Sequence, residues 1–93
     1  MTAPGPGVLD RAWDVDPRVS IRPESFGALL YHFGTRRLSF LKDRRLLDVV
    51  QQLPHHPTAR AACQAAGLTE QQLPTYARAL STLVSTDILQ ERA

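Results

Sequence analysis

Residues 27–41 read GALLYHFGTRRLSFL, two apolar-rich runs joined by Gly34-Thr35, with an arginine pair opening the second run. No other stretch restricts the fold as tightly, because such runs around a short Gly-containing connection form an antiparallel hairpin. Glycine at the first turn position is what a type II′ turn requires, and that turn fixes the register. Tyr31 then lies opposite Leu38, Leu29 opposite Phe40, His32 opposite Arg37 and Leu30 opposite Ser39. One face collects Leu29, Tyr31, Phe33, Leu38 and Phe40, and this is the expected core face.

Upstream, RVSIR at 18–22 alternates polar with β-branched residues and is stopped by Pro23, which predicts a third, half-buried strand. The segment before it, VLDRAWDVDP, is irregular and holds the only tryptophan, Trp13, expected to pin this arm against the domain edge. MTAPGPG at the start predicts a mobile tail. The expected organisation is a flexible tail over 1–12, a domain over 13–89 and a short C-terminal tail over 90–93.

The rest is helical in pattern. Asp43 caps a helix through RRLLDVVQQL with Leu46, Leu47, Val50 and Leu53 on its apolar stripe. Pro54 to Pro57 breaks the chain, Thr58 caps a second, alanine-rich helix, and Gly67 ends it in the left-handed conformation. A third helix starts either at a Thr69/Gln72 capping box, with Leu68 and Leu73 as hydrophobic staple, or at Pro74, and runs to about residue 85. Its core stripe is Leu73, Ala77, Leu80 and Val84, and the apolar arc widens on one flank through Tyr76, Ala79 and Leu83. Ile88 and Leu89 are expected to pack back on the core. The fold class is therefore α+β and winged-helix-like: a three-stranded antiparallel sheet followed by three helices with a helix-turn-helix. The usual wing after the third helix has no chain to build it, and the hairpin stands at the front instead.

At 93 residues and 43% hydrophobic content, one small folded domain is expected. The single Cys63 excludes an internal disulfide and sits among alanines, where a buried apolar role fits better than a reactive thiol. His55 and His56 are adjacent loop residues that do not converge on a metal, and no Gly-rich phosphate loop or activated nucleophile is present. Neither a catalytic residue, a metal site nor a cofactor is expected. The absence of a transmembrane-length apolar run or a signal-peptide layout predicts a cytoplasmic protein without membrane contact.

Basic residues gather at Arg36, Arg37, Lys42, Arg44 and Arg45. They are either solvated solubility charges or the partners of an acidic ligand lying along the last strand. A DNA reader, the competing class, needs such charge on its third helix, which here offers only Arg78. The last strand, RRLSFL, lacks proline and glycine and ends the sheet. An open edge of this kind invites either strand addition by a peptide or pairing with a second copy.

These residues carry a specific similarity. The run IRPESFGALLYHFGTRRLSFL followed by a Leu/Val-rich helix resembles the precursor-peptide chaperones of the mycofactocin system. These are peptide-recognition domains similar to the pyrroloquinoline-quinone peptide chaperone. The resemblance spans about residues 13–89. It implies a non-catalytic adaptor, a monomer or weak dimer when free, that binds a ribosomally made precursor peptide as an added strand. The adaptor then presents the peptide to a radical S-adenosylmethionine maturase. Carried onto this chain, the docking strand is Arg36, Arg37, Leu38, Ser39, Phe40, Leu41 and Lys42. Geometry of the third helix suggests Tyr76, Ala79 and Leu83 as the groove wall beside it.

Overall fold

The computed structural model describes residues 7–92. Residues 1–6 of the expected tail over 1–12 lie outside them. A 3₁₀ turn at Val8–Asp10 leads to strand β1 (Trp13–Val15), followed by β2 (Val19–Glu24), β3 (Gly27–His32) and β4 (Arg37–Leu41). Helices α1 (Arg44–Gln52), α2 (Ala59–Ala65) and α3 (Leu73–Ser85) follow, with a 3₁₀ turn at Leu53–His55, and β5 (Leu89–Glu91) closes the order. The main sheet is antiparallel in the order β2-β3-β4, so the α+β, winged-helix-like architecture of three strands and three helices is the observed one.

The hairpin register is as expected: Leu29↔Phe40, Leu30↔Ser39, Tyr31↔Leu38 and His32↔Arg37. Its turn is not the expected type II′. Four residues, Phe33 to Arg36, make the connection, and Arg36 rather than Gly34 takes the positive φ, at 62°. The cause is His32, whose Nδ1 accepts the N–H groups of Gly34 (2.9 Å) and Thr35 (3.0 Å) and winds the chain around itself. The Arg36 N–H then reaches the His32 carbonyl at 2.7 Å. His32 is fully buried, so those two bonds satisfy a ring nitrogen that water cannot reach.

The core face is the reverse of the expected one. Ala28, Leu30, His32 and Leu41 point inward at 0–2% exposure, while Phe33, Leu38 and Phe40 are 64%, 53% and 56% exposed. The reason is tertiary. α1 packs across β3, and its buried Leu46, Leu47, Val49 and Val50 share one core cluster with Ala28 and Leu30. Gly27 lets the end of β4 lie close against the start of β3: its φ is +151°, and a Cβ there would sit 1.9 Å from the Leu41 carbonyl oxygen. β2 also runs through Pro23 instead of stopping before it, which an edge strand tolerates because its outer N–H side needs no partner.

The helix ends follow their local chemistry. Asp43 Oδ1 accepts the Arg45 N–H at 2.8 Å and Thr58 Oγ1 the Ala61 N–H at 3.1 Å, as N-caps should. Gly67, at φ +88°, closes α2 with the Leu68 N–H donating to the Cys63 carbonyl at 3.0 Å. α3 starts at Leu73, with Pro74 in its first turn, and Gln72 Oε1 accepts the Thr69 N–H just ahead of it at 2.9 Å. Its buried residues are Leu73, Leu80 and Leu83, with Ala77 and Val84 half-buried, so the stripe is rotated toward Leu83 relative to expectation.

The short strands β1 and β5 were not legible in sequence. They pair antiparallel with Trp13 opposite Glu91 and Val15 opposite Leu89. Trp13 is buried at 6% and donates its indole N–H to the Val8 carbonyl at 2.8 Å, while Ile88 and Leu89 are buried as expected. Arg92 fastens the end of β5 by donating to the Leu53 and Pro54 carbonyls (3.3 and 3.2 Å) and to that of His56.

Candidate functional site

β4 pairs with β3 on one side, and no described strand covers its other side. The residues along it alternate. Leu38 and Phe40 point to the outer face and are exposed, Ser39 is half-buried, and Leu41 is in the core at 2%. Arg36, Arg37 and Lys42 are exposed at the two ends of the strand. The other free edge, β2, differs: it contains Pro23, and its Arg22 is bound to Glu24 at 2.7 Å.

Charge is distributed unevenly around these edges. Arg11, Arg18, Arg22, Arg60 and Arg92 each form an ion pair. Arg36, Arg37, Lys42, Arg44 and Arg45 are all exposed and form none among the described residues. Arg78 on α3 is the one other unpaired cation there. The unpaired positive charge is thus concentrated on β4 and the start of α1, where a bound acidic group would be held by several partners at once.

Tyr76 connects α3 to this strand, a contact with no local sequence signal. Its hydroxyl donates to Asp43 Oδ2 while Asp43 Oδ1 caps α1, so one carboxylate ties the end of β4, the start of α1 and the flank of α3 together. Burial pushes the Asp43 carboxyl up, but the Tyr76 hydroxyl and the Arg45 and Leu46 N–H groups outweigh it and leave Asp43 below its ordinary value. The same hydrogen bond, helped by burial, raises the Tyr76 phenol to about 12. Tyr76 therefore stays a neutral donor throughout the physiological range. Ala79 follows on the same flank and is half-buried. Leu83, next along it, is inside the core at 6% exposure. Of the three expected wall residues, only Tyr76 is bonded to the β4–α1 junction.

A buried polar corner supports the hairpin from below. Asp16, 5% exposed, accepts from the Arg18 backbone N–H (2.8 Å) and from its guanidinium (3.1 and 3.0 Å), and lies 3.6 Å from His32 Nε2. The Arg18 hydrogen bonds, side chain first and backbone second, hold the Asp16 carboxyl down at about 2. This is a structural clamp between the β1–β2 connection and the hairpin turn.

No group of three or more His, Cys, Asp or Glu among the described residues could hold a metal ion. Burial raises the Cys63 thiol, which keeps it protonated and unreactive. No described helix is long and apolar enough to cross a membrane.

Comparison with known proteins gives a consistent result. The family model described as the Peptide chaperone MftB family matches residues 12–90. The Peptide chaperone MftB of Mycobacterium ulcerans (strain Agy99) is 51% identical, over 94% of this chain and 82% of that protein. That of Mycobacterium tuberculosis (strain ATCC 25618 / H37Rv) is 52% identical, over 89% of this chain and 76% of that protein. The same-named protein of Mycolicibacterium smegmatis (strain ATCC 700084 / mc(2)155) is 51% identical over 86% of this chain and 78% of its own. No solved structure matches the chain. The relatives are named for a chaperone, a non-catalytic role, in keeping with a site made of a strand edge and unpaired cations. By the extent of the match and the level of identity, this chain belongs to the Peptide chaperone MftB family.

Proposed function

We propose that the chain is a peptide chaperone that binds a ribosomally made precursor peptide as an added strand on the free edge of β4. It hands that peptide to a radical S-adenosylmethionine maturase of the mycofactocin system. The observation that carries this reading is the coincidence of an uncovered strand edge with five unpaired cations at Arg36, Arg37, Lys42, Arg44 and Arg45. Backbone groups of Arg37 to Leu41 supply the ladder, and the cations steer and anchor acidic positions of the peptide. Tyr76 and Ala79 form the half-buried part of the wall on α3, with Leu83 as its buried support. The free protein is a cytoplasmic monomer or weak dimer.

Titrating isotope-labelled protein with the precursor peptide tests the reading. Amides of residues 36–42 and of α3 should shift; shifts confined to other elements, or none at saturating peptide, would show that the edge is not the site. A DNA-binding regulator remains the contrasting class. It predicts duplex binding with a steep salt dependence, and a recognition helix whose sole cation is Arg78 speaks against it.

A further inference from the structure

The outer face of the three-stranded sheet is the one large feature that neither the fold nor strand addition accounts for. Leu38 and Phe40 stand on it at 53% and 56% exposure, paired across the ladder with Tyr31 and Leu29. Phe33 is 64% exposed and packs edge-on against Tyr31, ring centroids 5.0 Å apart at 82°. Exposed apolar residues scattered singly need no explanation, but these are contiguous and include the two outward residues of the edge strand itself.

We propose that this face reads the side chains of the added strand. It would select an extended segment whose outward residues are apolar at two alternate positions and whose ends are acidic. The proposal rests on the strand-addition reading and specifies the ligand's chemistry. A strand added beside β4 lies about 4.8 Å away, and every second side chain projects on the same side as Leu38 and Phe40. Apolar side chains there cover the free flanks of Leu38 and Phe40, whose other flanks already rest on Tyr31 and Leu29. Polar ones leave both flanks wet. At the ends of that strand, Arg36 and Arg37 on one side and Lys42, Arg44 and Arg45 on the other meet carboxylates.

Charge also decides against a second copy of this chain as the occupant. Two copies laid face to face or edge to edge would bring their unpaired Arg36, Arg37 and Lys42 clusters together without neutralising them, whereas an acidic-ended strand neutralises them.

Two short synthetic peptides test this with the full chain, wild type and Leu38→Ser/Phe40→Ser. One carries Val and Leu at two alternate positions between Asp and Glu ends; its twin carries Ser at those two positions. The wild type should bind the apolar peptide at least about tenfold more tightly than the twin, and the double variant should bind both alike. Amide shifts in β4 are recorded in the same titrations. If β4 shifts with both peptides at equal affinity, strand addition stands and selection by the outer face is overturned. If β4 never shifts, the strand-addition reading itself fails. A preference that survives in the double variant places selection elsewhere and overturns the proposal. So does peptide-free dimerisation of the wild type in sedimentation that the double variant abolishes. Should the double variant lose its native amide spectrum, Phe40→Thr, which keeps a strand-favouring side chain, replaces it with the same expected loss of preference in direction.

Discussion

The two faces of the three-stranded sheet are built from nearly the same residue types and have opposite fates. One carries Ala28, Leu30, His32 and Leu41 and is sealed under α1; the other carries Leu29, Tyr31, Leu38 and Phe40 and looks outward. Hydrophobicity does not separate them. What separates them is which face α1 covers: it packs across β3 on the side of the buried Ala28 and Leu30. Stability therefore resides in one face, and the other stays exposed.

The sharpest way to break that contrast is a pair of leucine truncations. Leu30→Ala on the sealed face should cost about 3 kcal/mol, because it opens a cavity under α1. Leu38→Ala on the outer face should stay within about 0.5 kcal/mol. Urea unfolding of both variants measures the difference, and equal losses would mean that the outer face is part of the core. A smaller effect, about 1–2 kcal/mol, is expected from Tyr76→Phe, which removes a donor to the Asp43 carboxylate. NMR titration should show the Asp43 carboxyl rising in this variant, since the Tyr76 hydroxyl is among the groups that hold it down. An unchanged Asp43 would mean that α3 is not fastened to the end of β4 in solution.

The smallest expected effect comes from Asp16, whose partner Arg18 is 62% exposed and so well screened by solvent. Its carboxyl lies at about 2 in the folded chain against an ordinary 3.8. The unfolded chain therefore takes up a proton first on acidification. The stabilisation is complete above pH about 4 and fades as the pH falls towards about 2. Asp16→Asn should flatten that part of the stability profile, measured as urea midpoints across the acid range. An unaltered slope would remove Asp16 from the acid response.

Much of the site was legible in the sequence, for a local reason. The pairing of Leu29 with Phe40 and of Tyr31 with Leu38 survived even though the turn differs, because both connections leave His32 opposite Arg37. The Asp43 and Thr58 caps and the Gly67 terminator act over three or four residues, a range that sequence spacing encodes directly. The open edge of β4 followed from strand order and from the lack of proline and glycine in RRLSFL. The Tyr76–Asp43 bond spans 33 positions and had no such signal.

By itself, then, the sequence determined the element order, the hairpin register, the helix caps and the cluster of cations along the last strand. All depend on neighbours in the chain or on residue type alone. Only the tertiary structure decided which face of the sheet is buried. ALLYHF offers apolar residues to both sides, and the choice lies with a helix that begins after the hairpin has ended. The β1–β5 pair, three residues from each end of the domain, was likewise decided by packing, since strands so short carry no periodicity of their own.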